Sequence, residues 1–294
     1  MRRSWRLSAT GWLIAGIYWA AGASAWAQYG APYCQILDAY DDPIWQVHLH
    51  VMEDARIDGF GSFGRTRLQA RAPLLYFHAR AGELDVAADL DLSMLTRRGG
   101  LQLPEQVGTL QLDIEYAIRL TDGYALRLGF APGLFSEWTH IKRDHFHYPF
   151  RAHGLYAATP NLSLLFGLNF FPGFERLLDL EVGARWAISD FLLFDLFYPQ
   201  SEVVFRPNVW WAIRMGVEMS MISEYALKAS DDRERMMLRE TRFYAGVDRL
   251  ITEQLQIMIR VGRLVDRSVD FKFFEPKSRI DDSLYLQVGI GGLI

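Results

Sequence analysis

The sequence predicts an all-β protein: a single antiparallel transmembrane β-barrel of about twelve strands, within a range of roughly ten to fourteen, preceded by a cleaved signal peptide. Three observations carry this expectation. The N-terminus reads as an export signal, the rest of the chain alternates apolar and polar residues, and many of the alternating runs are long enough to cross a bilayer.

The export signal occupies residues 1–27. Arg2, Arg3 and Arg6 form a positive start, Gly11 to Ala21 is apolar, and Ala25-Trp26-Ala27 places small residues where a signal peptidase cuts. The apolar core falls short of the ~20 residues of a spanning helix. Removing 1–27, which holds three arginines and no acidic residue, takes the formal net charge from −4 to −7. A mildly acidic chain gives no electrostatic basis for nucleic-acid binding. Cys34 is the single cysteine, so no intrachain disulfide forms, and Ala31-Pro32-Tyr33 before it lacks the small aliphatic run that precedes a lipidated cysteine. Nothing in the sequence calls for a cofactor. Residues 28–43 read as an irregular lead-in, and 44–294 as one barrel domain without linker or low-complexity tract.

Period two dominates that domain. Leu84, Val86, Ala88, Leu90, Leu92 and Met94 alternate with Asp85, Ala87, Asp89, Asp91 and Ser93. Leu110 to Leu120 repeats the pattern, turns at Thr121-Asp122-Gly123, and resumes through Tyr124, Leu126, Leu128 and Phe130. Similar runs cover 162–170, 178–188, 211–221, 255–261 and 284–290, and the last places Leu284, Leu286, Val288 and Ile290 on one face. Such a closing strand suits the barrel-assembly machinery, although its last residue is Ile294 rather than an aromatic.

Alternation does not say which face is wet. A soluble periplasmic β-sandwich or lipocalin-like carrier, with the apolar face inside, alternates in the same way. Strand lengths of ~9–11 residues and aromatic pairs near strand ends (Phe170-Phe171, Trp210-Trp211, Phe273-Phe274) point to lipid and its interfacial girdles. Outer-membrane lipid is then the expected surroundings; the oligomeric state is not legible.

Barrels of this class alternate short periplasmic turns with longer outer loops. Residues 136–147, 222–238 and 266–281 read as long loops, and 121–123, 159–161 and 250–253 as short turns. Between 171 and 208 this parity fails: either one hairpin is misplaced, or Pro199 breaks a run counted as one strand.

The candidate functional residues are the charges on the polar face: Asp85, Asp89, Asp91, Asp113, Glu115, Arg119, Arg127, Glu181, Arg185, Arg214 and Glu218. Pointing inward, they either line a selective pore for small solutes or fill a narrow lumen as a structural ion-pair network. Histidine pairs at i, i+2 (His48 with His50, His145 with His147) lack the third and fourth ligands of a metal site. An outer-membrane lipid-modifying enzyme would need a serine beside a histidine. No histidine has a serine within two positions, which leaves only a pair drawn from different strands.

From about residue 110 onward the chain resembles a family of uncharacterised, predicted outer-membrane barrel proteins of Gram-negative-type bacteria. The resembling stretches are Phe130-Ala-Pro-Gly133, Gly183-Ala-Arg-Trp186, Asp195-Leu-Phe-Tyr-Pro199, Val203-Val-Phe-Arg206 and Arg239 to Gly246. The resemblance implies architecture only, since the family has no assigned activity to carry over.

Overall fold

The computed structural model describes residues 45–57, 61–79, 82–98, 104–138, 141–174, 177–226, 235–271 and 278–292. The residues expected to form the signal peptide and lead-in, 1–43, lie outside them. The chain forms fourteen antiparallel strands in one sheet, against about twelve expected. They are β1 (Trp45–Ile57), β2 (Gly61–Ala79), β3 (Gly82–Arg98), β4 (Gln106–Thr121), β5 (Tyr124–Phe130 and Gly133–Ser136), β6 (Phe146–His147 and Phe150–Thr159) and β7 (Leu162–Phe170). There follow β8 (Leu178–Ser189), β9 (Leu192–Tyr198), β10 (Gln200–Asn208), β11 (Trp211–Ala226), β12 (Arg235–Thr252), β13 (Leu255–Phe271) and β14 (Ser278–Ile280 and Ser283–Gly292). Each strand pairs with its sequence neighbour, and β1 closes on β14 from Trp45↔Gly292 to Met52↔Tyr285.

One end of the barrel, the turn end, joins its strands by two-residue connections. In four of these turns the residue before the turn holds the backbone N–H two positions on. Thr121, Thr159, Asn208 and Thr252 accept from Gly123, Asn161, Trp210 and Gln254 at 2.9–3.4 Å. The opposite, loop end carries the longer connections. Pro199 is the exception that restores parity: it separates β9 from β10 by a single residue, so the run counted as one strand is two.

The outer face is apolar over the turn-end section. Val47, Leu49 and Val51 on β1, Val182 on β8 (58% exposed), Ile213 and Met215 on β11, and Leu284 (62% exposed) to Ile290 on β14 all stand outward. The charged face is inside. This is the inverse of a soluble sandwich or apolar-lined carrier, so that arrangement is not the one the chain adopts. Aromatics ring the turn end (Tyr124 stacked on Tyr156 at 4.6 Å, with Trp186, Trp210 and Trp211) and recur where Phe130 stacks on Phe150 at 4.8 Å.

Strand lengths divide the barrel. Strands β7, β9 and β10 have 9, 7 and 9 residues, whereas β2, β3, β11, β12 and β13 have 16 to 19. The long strands exceed both the short ones and the ~9–11 residues that suffice to cross a bilayer, so they project past the tops of the short strands. There, β5 and β11 meet across the tops of the short strands in a parallel pairing, Ser136↔Ala226. The projecting parts of β11–β14 and β1–β5 thereby close into a smaller ring.

Bulges mark where this ring begins. Between Met52 and Ala55 on β1, Glu218 and Met221 on β11, and Val265 and Ser268 on β13, one strand takes three steps against its partner's two. On β13 the extra residue is accommodated with Asp266 at φ 48°, a conformation aspartate tolerates better than most residues. The broken alternation is why 222–238 and 266–281 read as loops in sequence; the strands in fact run on to Ala226 and Phe271 and resume at Arg235 and Ser278. Past its bulge, β1 turns Ala55 and Ile57 inward and exposes Glu53, Asp54 and Arg56.

Candidate functional site

The lumen is built in layers. At the loop end, Ile57, Phe63, Leu95, Val107, Met236, Leu238, Val269 and Ile280 bury one another with Ala55 inside the ring, drawn from the seven consecutive strands β12–β13–β14–β1–β2–β3–β4. Beneath them lies a buried ionic cluster centred on Glu240. Arg65 reaches it at 2.6 Å, Arg242 at 3.2 Å and Arg267, whose side chain is 0% exposed, at 4.0 Å. The Arg65–Glu240 pair is a chord across the barrel: β2 and β12 are separated along the wall by β13, β14 and β1. Met52, Tyr244, Leu264 and Tyr285 form the next layer. Tyr285 lies flat because Gly262 faces it, where a Cβ would stand 2.5 Å from its ring; Gly216 makes the same room for Tyr244 at 2.6 Å.

The charges singled out in the sequence join three ion-pair ladders on the inner wall. On β2–β6, Arg71 bonds Asp85 (3.3 Å), Asp89 (3.0 Å) and Asp113 (2.9 Å); Arg151 bridges Asp113 and Glu115, and Arg127 completes the ladder on Glu115 at 2.9 Å. Asp91 takes Arg67 in a two-pronged bond. On β6–β9, Glu181 meets His153 (3.2 Å) and Asn169 (2.6 Å), and Arg185 pairs with Asp195 at 2.6 Å. On β10–β12, Arg214 bonds Asp248 and Glu202 (2.5 Å for the latter), Tyr244 donates to Glu202 at 2.8 Å, and Glu218 pairs with Arg242 at 3.0 Å. Arg119 lies exposed near the turn end of β4.

Sequence reading missed the counter-charges. Arg65, Arg67 and Arg71 alternate along β2, and Glu240, Arg242, Tyr244 and Asp248 along β12, so period two on the polar face was the available signal. The β12 set lies just past the loop assigned to 222–238, in a stretch given no alternating run. Which acid meets which arginine across several strands has no sequence signature.

Between the ladders lies a cavity of about 460 Å³. Its lining includes Gln46, His48, His50, Gln287 and Arg260 from β1, β14 and β13, with Asp89, Gln111 and Phe135 from β3–β5. A second apolar patch, Leu193, Val204 and Ala212 with Ala187 against it, lines the turn end of β8–β11.

The histidines have separate surroundings. His48 and His50 share the inner face with ring centroids 6.2 Å apart. His145 and His147 do not share a strand face: His145 ends a short 3₁₀ turn (Arg143–His145), while His147 packs at 4.4 Å on Phe174. His145 does find a serine nine positions back, with Ser136 Oγ 2.8 Å from its Nδ1. This is the contact a barrel hydrolase would need, but Ser136 is 0% exposed and its hydroxyl oxygen accepts from the Trp138 N–H at 3.3 Å. The pair fixes the end of β5 where it meets β11; a nucleophile must reach substrate, and this one is enclosed.

No protein-family profile and no curated protein matches the sequence, so the resemblance drawn from its motifs gains no partner there. Solved structures overlay it partially. A KdgM porin matches at 9% identity and TM-score 0.40, covering 85% of this chain and 99% of the other. A NanC porin matches at 10% and 0.42, covering 85% and 100%. A Pseudomonas aeruginosa FadL homologue matches at 10% and 0.46, covering 90% and 93%.

Proposed function

We propose that the protein is an outer-membrane barrel that passes small hydrophilic solutes along a narrow path. The observation that carries this reading is the inverted sidedness. A closed sheet with an aliphatic exterior leaves no backbone edge for lipid to strand, and its charged, ion-paired interior suits water and polar solutes. On this reading the two-residue turns face the periplasm, the longer connections face outward, and lipid and the assembly machinery are the partners. A serine–histidine lipid hydrolase gains no support from the enclosed Ser136.

The path proposed avoids the ring axis, which the apolar layer and the Glu240 cluster fill. It runs on the β6–β10 side, beneath the Ser136–Ala226 junction and over the tops of the short strands, then through the cavity to Gln46 beside the start of β1. Planar-bilayer recording of the refolded mature barrel tests this: discrete conductance steps are expected, and a silent bilayer overturns the channel. Position is tested in a Cys34→Ser background. A thiol reagent on Asn169→Cys, at the loop end of β7, is expected to block current, whereas Leu238→Cys in the ring leaves it unchanged. The opposite result moves the path into the ring.

A further inference from the structure

The cavity contains a cation and a histidine that the ion-pair ladders leave unused. Its carboxylates are all engaged: Asp89 by Arg71, Asp91 by Arg67 and Glu218 by Arg242. Arg260, by contrast, has no carboxylate partner among the described residues; its guanidinium lies 5.2 Å from the centre of the Tyr244 ring. His50 is 1% exposed, lines the cavity, and has no hydrogen-bond partner on either ring nitrogen among the described residues.

The groups between them are neutral donors. His48 bonds Gln287 Nε2 through Nδ1 at 3.0 Å and Gln46 Oε1 through Nε2 at 2.9 Å. That assigns the carbonyl of Gln46 to His48 and leaves its amide N–H groups for the cavity, with a second N–H of Gln287 beside them. One unpaired arginine, amide donors and a free imidazole therefore converge on a space whose carboxylates each already contact an arginine. A partly buried cation without a counter-charge is less well solvated than one in bulk water, and an anion with hydroxyl groups offsets that loss. The volume of about 460 Å³ falls in the ~300–1,000 Å³ range of small-molecule sites.

We infer that this cavity is a binding subsite for a small monoanionic, hydroxyl-rich solute, its carboxylate on Arg260 and its hydroxyls on His50, Gln46 and Gln287. The inference deepens the channel reading, since it places a solute class at the same lumen, yet binding and conduction are measured separately. Calorimetric titration of the refolded mature barrel in detergent compares gluconate with sorbitol, which share a six-carbon polyol chain and differ by a carboxylate. Gluconate is expected to bind about tenfold or more tightly than sorbitol, a difference of ~1.4 kcal/mol or more. Arg260→Gln is expected to bring the two ligands level, and Arg260→Lys to keep part of the preference. Retention of the heat-modifiable folded band shows that each variant still forms its barrel. Equal binding of both ligands by the unsubstituted protein, binding of neither, or an undiminished preference in folded Arg260→Gln overturns the site. Gluconate preference with a silent bilayer supports the site and removes only the channel; conductance without that preference keeps the channel and removes the site.

Discussion

The turn-end section of the barrel and the ring at its loop end share strands β11–β14 and β1–β5, yet their faces are reversed. Below the bulges, β1 shows Val47, Leu49 and Val51 to the outside and His48 and His50 to the lumen. Above them it shows Glu53, Asp54 and Arg56 outward and Ala55 and Ile57 inward. On β13, Ile259 and Val261 stand outward, and the exposed Arg263, still on their face below that strand's bulge, pairs with Asp282 at 2.9 Å. One inserted residue re-aims every later side chain on its strand, because the period is two. The chain thus places an ordinary water-soluble β-core on top of an inside-out one, and the join is the Glu240 cluster.

That contrast breaks most readily at the join. Glu240→Gln leaves Arg65, Arg242 and Arg267 buried around a neutral amide, and an expected loss of ~3–5 kcal/mol should appear in guanidinium unfolding of the liposome-inserted barrel. An unchanged midpoint would mean that the arginines are hydrated and the layer is not dry. Within the ring, Leu238→Ala is expected to cost ~2–5 kcal/mol as a buried cavity, by the same assay. On the exterior the two sections should answer differently to a charge. Val288→Arg, in the aliphatic belt of β14, is expected to cost ~2–4 kcal/mol. Glu53→Arg, beyond the bulge on β1, should stay within about ±0.5 kcal/mol. Equal effects at the two positions would dissolve the proposed membrane boundary. Ser136→Ala should sharpen the junction of β5 with β11: a loss of ~1 kcal/mol is expected, with no change in phospholipid turnover by vesicles carrying the protein.

How much of this was legible follows from what alternation can carry. The runs at 84–94, 110–120, 178–188 and 284–290 identify strands and separate their two faces, so the inner-face charges from Asp85 to Glu218 could be named without coordinates. Pro199 was visible as one way to restore the turn parity, and it proved to be the way taken. The long loops at 222–238 and 266–281 were read too generously because a bulge ends alternation as convincingly as a loop does. The Ser136–His145 contact escaped a search confined to adjacent positions because a short 3₁₀ turn brings its two residues together.

The sequence by itself determined strand identity and the division of each strand into an apolar and a charged face, because both follow from residues two apart on one chain. Which face meets water depended on closure: β1 pairing with β14 leaves a single inside, and the exposed belt shows that the charges occupy it. Equally, the chord from Arg65 to Glu240, the ring closed at Ser136 and Ala226, and the unpaired Arg260 belong to the tertiary structure alone. Each depends on how strands remote in sequence curl toward one another, and no periodicity along a strand records that curvature.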